Sequence, residues 1–195
     1  GADCRLIGSR RLPNQEEPQV TVHFTGRVRL AAEAARAPTV NVPAGSANGV
    51  ASSEIYGVYF HGPAYQVLDR AWRAGMAAVG RFNAGLPDNH QPADLPLRSS
   101  PRLVELCFQT AGLWQAGRED MLALPMRVGS ARVVAEHDGG TLHAQAREVA
   151  PGVFDCVVVN DDGDVVVVLD GYRTIPLPAP IPDDVAADLH AAYRD

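Results

Sequence analysis

Between Pro101 and Gly117 the chain carries apolar side chains around most of a helical circumference: Leu103, Val104, Leu106, Cys107, Phe108, Ala111, Leu113 and Trp114. A helix apolar on so many sides is expected to be buried on most of them. Ser100 stands at the N-cap position, Pro101 at the first helical position, and Gly117 reads as the stop signal. Whatever else the chain forms has to wrap around this helix.

The rest reads mainly as strands. Residues 4–12 and 19–31 predict two strands joined by the turn-rich segment 13–18. In the second, Val20, Val22, Phe24 and Val28 alternate with polar residues, the period of a half-buried strand. Residues 32–51 are rich in Ala, Pro, Gly, Ser and Asn and read as a linker. Ser52 or Ser53 is placed to cap a short helix running to about Phe60. Residues 65–73 and 76–83 predict a hairpin around Ala74-Gly75, and 84–100 a long loop. Four further strands are expected near 124–137, 141–149, 153–160 and 165–172. Asp138-Gly139-Gly140 and Asp161-Asp162-Gly163-Asp164 supply hairpin turns. The last two stretches are nearly continuous valine, the mark of strands covered on both faces. A Pro-rich segment, 176–182, precedes a helix over 183–193. The pattern is α+β with an antiparallel sheet.

Composition narrows the function classes. A chain of 195 residues with 46% hydrophobic residues can build one good core or two small ones. The formal charge is -6, and the 17 basic residues are all arginines, scattered apart from Arg10-Arg11, which argues against a nucleic-acid surface. No apolar run is long enough to span a bilayer, and no signal peptide is visible, so a cytoplasmic location is expected. The three cysteines, Cys4, Cys107 and Cys156, lack zinc spacing; no metal and no disulfide are expected. The Asp161–Asp164 run lacks the downstream glutamate of a calcium loop. Phosphate-loop, Gly-x-Ser-x-Gly and His-Glu-x-x-His signatures are absent.

The residues that can carry chemistry are on the apolar helix and in one turn. Glu105 and Gln109 stand four apart and share a helix face. An acid among apolar neighbours loses solvation, which favours its protonated form and makes a general acid near neutral pH. Gln109 can hold that acid or bind a substrate hydroxyl. From spacing alone, a partly exposed polar stripe on an otherwise buried helix is the better explanation of the pair. In Tyr59-Phe60-His61-Gly62-Pro63-Ala64-Tyr65-Gln66, Gly62 is expected to allow a sharp turn and Pro63 to fix the next φ. Tyr65 is then expected to open a strand that packs under the helix.

Together, His61-Gly62-Pro63-Ala64-Tyr65 and the helix carrying Glu105 and Gln109 resemble the second half of polyketide and fatty-acid synthase dehydratase domains. Such domains have a double hotdog fold. The likeness spans roughly residues 52–175. The Phe-His-Gly-Pro turn and Phe108–Trp114 are closest in flavour to enediyne-type iterative synthases and polyunsaturated fatty-acid synthases. Two positions differ: Glu105 replaces an aspartate, and Ser100-Pro101 replaces a His-Pro step. The extra methylene moves the carboxyl by roughly one bond length.

The resemblance implies a hotdog, an antiparallel sheet wrapped around a central helix. Residues 52–195 would be the C-terminal hotdog, 1–31 closing strands of the first, and 32–51 the linker. It implies dehydration of 3-hydroxyacyl thioesters to enoyl thioesters. Glu105 and Gln109 would be catalytic, and His61, Gly62, Pro63 and Tyr65 would shape the substrate tunnel. No cofactor is implied beyond the phosphopantetheine of an acyl carrier protein. That carrier, the N-terminal dehydratase half and other synthase domains are the implied partners. The family's basic histidine sits in His-x-x-x-Gly-x-x-x-x-Pro. None of His23, His61, His90, His137, His143 or His190 starts that spacing, so little or no activity is expected from the chain alone. An unpartnered half would present an apolar face or sheet edge and is expected to favour a homodimer. The competing expectation is a non-catalytic hotdog that binds acyl chains or braces the synthase.

Overall fold

The computed structural model describes residues 1–32, 39–42, 44–45, 48–95, 97–137, 139–181 and 183–194. The chain divides into two compact units, Gly1–Ala34 and Ala35–Asp195.

The first unit is a hairpin of β1 (Ala2–Arg10) and β2 (Gln19–Val28), paired antiparallel. A bulge between Leu6 and Ile7 in the pairing leaves His23 without an opposite residue. The alternation in β2 predicted a half-buried strand, yet every residue of β2 is exposed. Leu6, Ile7, Val20, Val22, Phe24 and Val28 are all about half exposed. A two-stranded ribbon is a single layer, and burial of its apolar face needs a second one.

The second unit is one curled antiparallel sheet around a helix. Its strands run β3 (Val50–Ala51), β4 (Leu68–Ala74), β5 (Ala77–Phe82), β8 (His143–Ala150), β9 (Val153–Val159), β10 (Val165–Pro180) and β6 (Met121–Arg127), each paired with the next. β7 (Ser130–Val133) also pairs β10. β10 is long enough to take β7 along its first part and β6 along its second. The stretch expected as one strand over 124–137 is therefore two. Between them the Gly129 N–H donates to the carbonyls of Asp170 and Gly171, where β10 itself turns at Gly171, φ 61°. The Pro-rich segment 176–182 largely continues β10 to Pro180; of it, Pro182 lies outside the described residues, as does Asp138 of the predicted 138–140 turn.

Helix α2 (Pro101–Glu119) packs against β4, β5, β6, β8, β9 and β10. Leu106, Cys107, Ala111 and Leu113 are fully buried, as the all-round apolar pattern requires. Each fully buried leucine contributes about 2 kcal/mol. The helix begins where expected, with Ser100 as N-cap and Pro101 at its first position, and ends later than expected. Ser100 occupies the N-cap with left-handed φ 43° and makes no side-chain cap bond. Gly117 is not the stop: the helix continues to Glu119, and Asp120, φ 58°, forms the C-cap. Gly117 instead makes room for Tyr193, whose Cβ would stand 2.5 Å from a Cβ added there. Tyr193 belongs to helix α3 (Asp183–Tyr193), which packs on α2.

The short helix α1 (Ser52–Val58) is capped from Ala51, not by Ser52 or Ser53. The Ala51 N–H donates to the Glu54 carboxylate at 2.6 Å, half of a capping box that needs no hydroxyl. Of the segment read as linker, residues 33–38, 43 and 46–47 lie outside the described residues. Val40 and Val42 pack with Val134, Val159 and Val165 in a cluster separate from the α2 core. Asn41 and Ala44 accept hydrogen bonds from Gln145 and Trp72. The valine runs of β9 and β10 are thus covered on both faces, as their sequence predicts. Among the described residues no helix is long and apolar enough to cross a membrane.

Candidate active site

Three local structures converge on one face of α2. The first is α1 with the two residues after it, which carries Tyr56 and Tyr59. The second is the turn that follows, ending in the single 3-10 turn Pro63–Tyr65. The third is α2 itself. Gly62 caps the 3-10 turn, and the Tyr65 N–H donates to its carbonyl at 2.9 Å. Gly62 has φ -69° and nothing within 4 Å of an added Cβ, so neither backbone nor space demands glycine there. Pro63 stands at the first position of the turn, where its fixed φ fits. Tyr65 ends this turn and does not open a strand; β4 begins at Leu68.

Gln109 is the hub. It is only 2% exposed, yet both polar atoms of its side chain have partners. Its Nε2 donates to the Tyr65 carbonyl at 2.9 Å and to Glu105 Oε1 at 2.9 Å. Its Oε1 accepts from the Tyr56 hydroxyl at 2.7 Å. Tyr56 in turn accepts the Leu68 N–H at 2.8 Å. The direction of every bond in this chain is set by the main-chain donor at one end and the main-chain acceptor at the other. With both amide hydrogens committed, Gln109 orients the acid and has no hydrogen left for a substrate hydroxyl.

Glu105 is partly buried, with 22% of its side chain exposed. His61 Nε2 lies 3.0 Å from Glu105 Oε1. The imidazole is set by three aromatic rings. Phe60 stacks on it at 5.4 Å with planes 5° apart, and Tyr59 and Tyr56 meet it edge-on at 5.4 Å and 6.4 Å. The structure therefore brings Glu105, Gln109 and His61 together directly. Gly62, Pro63 and Tyr65 act on the group through the turn backbone, by way of the Tyr65 carbonyl. The Tyr65 hydroxyl accepts from Asn89 at 3.3 Å, tying the 84–100 loop to the same turn. Arg102 adds a second tie, donating to the Ala64 and Pro87 carbonyls.

Sequence reasoning passed over Tyr56 and Tyr172 and gave Tyr59 no role of its own. Burial pushes the Tyr56 phenol well above its usual range, against the Leu68 N–H bond, and the Glu105 charge adds to the rise. Burial raises Tyr59 strongly too, with neighbouring phenols contributing. Tyr172, stacked on Phe108 at 4.5 Å, is raised by burial and then by Glu105. All three stay protonated near neutral pH, and Tyr56 and Tyr59 donate hydrogen bonds. The available signal was the spacing of Tyr56 and Tyr59, three apart at the end of a short helix that leads into the turn.

A model of the family described as "Polyketide synthase dehydratase N-terminal domain" matches residues 27–184. Polyketide synthase ThaG of Burkholderia thailandensis is 27% identical over 143 residues, which is 68% of this chain and 2% of that protein. Among solved structures, a trans-AT polyketide synthase dehydratase domain from Brevibacillus brevis superposes with TM-score 0.64 at 16% identity, over 90% of this chain and 64% of that one. The dehydratase domain of the CurF module of curacin polyketide synthase gives 0.61 at 19%, over 82% and 60%. The erythromycin dehydratase gives 0.59 at 16%, over 88% and 61%. At these identities the likeness establishes the hotdog fold. The chain thus spans about three-fifths of the dehydratase structures it resembles and a small fraction of the curated synthase. With the family match covering most of its length, this chain belongs to the polyketide synthase dehydratase family.

Proposed function

We propose that this chain is the C-terminal hotdog of a double-hotdog dehydratase, with closing strands of the first hotdog, from an iterative polyketide synthase. The observation that carries the reading is the 2.9 Å contact between Glu105 and a Gln109 whose other polar groups are all engaged. It gives a family member one oriented, half-buried acid. The Tyr59–Gln66 and Phe108–Trp114 stretches favour a synthase of the enediyne type or one making polyunsaturated fatty acids.

The substrate is a 3-hydroxyacyl thioester on the phosphopantetheine of an acyl carrier protein, which with other synthase domains is the partner. Protonated Glu105 gives its proton to the C3 hydroxyl, the C3–O bond breaks and water leaves. A base takes the C2 proton, and that bonding pair becomes the C2=C3 double bond. The carboxylate left on Glu105 keeps the Gln109 N–H, now a charge-assisted bond. His61 is not that base: one ring nitrogen faces Glu105 and the other is buried. We assign the base to a group outside these 195 residues.

The test is Glu105→Gln in the parent synthase, with carrier-bound intermediates read by mass spectrometry. The 3-hydroxyacyl species should accumulate; undiminished enoyl product would remove Glu105 from the reaction. The isolated chain should turn over a 3-hydroxyacyl thioester barely or not at all. Robust turnover would overturn the placement of the base elsewhere.

A further inference from the structure

A glutamine amide has two ends of similar shape and opposite hydrogen-bonding sense. The end that Gln109 turns to Glu105 decides what the acid does with its proton. A C=O end there would accept the O–H of the protonated acid and tie it up. An N–H end is accepted by one carboxyl oxygen, and the hydrogen on the other stays free for the departing hydroxyl. The choice falls to the partners on the remaining sides of the amide.

Those partners are Tyr56 and the Tyr65 carbonyl. The Leu68 main-chain N–H donates to the Tyr56 hydroxyl at 2.8 Å, so the hydrogen of the phenol is left to go to Gln109 Oε1 at 2.7 Å. The Tyr65 carbonyl only accepts, and takes one Nε2 hydrogen at 2.9 Å. The second Nε2 hydrogen is thereby directed at Glu105 Oε1, 2.9 Å away. The donors run one way, from Leu68 through Tyr56 and Gln109 to Glu105, so each bond polarises the next toward the oxygen that becomes charged. Burial holds the Tyr56 phenol well above its usual range, with the Leu68 N–H opposing and the Glu105 charge adding to the rise, so the hydroxyl keeps its hydrogen through neutral pH.

Resting on the dehydratase reading above, we propose that Tyr56 is a positioning residue that keeps the N–H end of Gln109, and not the C=O end, against Glu105. It acts on the acid through Gln109. In the step, the O–H bond of Glu105 breaks as its proton joins the C3 oxygen, and the C3–O bond breaks as water leaves. The base outside these residues takes the C2 proton, and that bonding pair becomes the double bond. The carboxylate left on Glu105 keeps the Gln109 N–H. Tyr56 and Gln109 neither gain nor lose a proton. Tyr59 offers the contrast. Its hydroxyl also bonds Gln109, but at the main-chain oxygen, 3.0 Å away, where it does not bear on the amide.

NMR of the isolated chain reads the placement without any need for turnover. In the wild type, the Tyr56 hydroxyl hydrogen and both Nε2 hydrogens of Gln109 should exchange slowly with water. A freely exchanging hydrogen at any of the three would overturn the proposal, whether or not a variant folds. In Tyr56→Phe at least one Nε2 hydrogen should exchange faster, and in Tyr59→Phe both should stay slow; Tyr56→Phe with both as slow as in the wild type would also overturn it. In the parent synthase, at a temperature where both variants are folded, Tyr56→Phe should lower kcat about tenfold with little change in KM, and Tyr59→Phe should lower it less. Equal losses, or a loss confined to KM, would overturn the positioning role. A wild-type synthase that forms no enoyl product would instead sink the dehydratase reading, and the exchange rates would still decide which end of the amide faces Glu105.

Discussion

The Tyr59 hydroxyl donates to the main-chain oxygen of Gln109 at 3.0 Å, directly over the bare α-carbon of Gly112. A Cβ at position 112 would stand 2.5 Å from that hydroxyl. Gly112 is a helix-interior glycine, which costs helix stability, so the close approach of Tyr59 is what it provides. Tyr59 in turn holds the edge of His61. Gly112→Ala should therefore displace Tyr59 and destabilise the fold by about 1–3 kcal/mol. Urea unfolding reads this directly; a variant as stable as the parent would mean the phenol can move aside freely.

Glu105→Gln should leave stability within about 1 kcal/mol of the parent. The new amide can present its oxygen to Gln109 and place its NH2 where Oε2 stood. The existing Gln109 donor stays satisfied while the acid is lost. Thermal unfolding should show a small shift; a large drop would mean that the charge itself stabilises the group.

Tyr56→Phe removes a hydroxyl that serves the Leu68 N–H and the Gln109 oxygen at once. Two buried residues, Leu68 and Gln109, lose a partner, at about 1–3 kcal/mol each. The loss should exceed that of Tyr59→Phe, where a single bond to a helical carbonyl goes. Denaturant midpoints of the two variants test the order.

Alkali should destabilise the protein through its phenols. Burial raises Tyr56, Tyr59, Tyr172 and Tyr193. In the unfolded chain the same groups ionise near pH 10. Their contribution is fully present below that value and is lost as pH rises toward the folded values, because unfolding then releases protons. Unfolding free energy should fall from about pH 9 upward, and phenolate absorbance from these residues should appear together with loss of structure. Smooth ionisation of all five tyrosines in the folded protein would contradict this.

Gly117→Ala meets Tyr193 where backbone-attached atoms must shift, since the Cβ would also stand 2.7 Å from Tyr193 Cγ. The expected cost is about 1–3 kcal/mol, with α3 loosened from α2. Hydrogen exchange in residues 186–193 should rise. Unchanged protection there would show that α3 is held by its other contacts alone.

Local pattern was enough for the frame. An all-round apolar helix has to be enclosed, and alternating or valine-rich runs with Gly and Asp turns supply the antiparallel sheet that encloses it. Glu105 and Gln109 were legible for the same local reason: residues four apart share a helix face. The rest depended on which distant segments meet in the folded chain. His61 reaches Glu105 because the turn at Pro63–Tyr65 and helix α1 are anchored to α2 through Tyr56, Tyr59 and Gln109, contacts between residues far apart in the chain. Gly117 reads as a stop signal until Tyr193 is seen to need the space. The β2 alternation reads as half-buried, yet an alternating strand shows which face is apolar and not whether a second layer covers it. Local pattern reports what a segment can do; side-chain directions, ring contacts and the partner of each hydrogen bond depend on which distant surfaces meet.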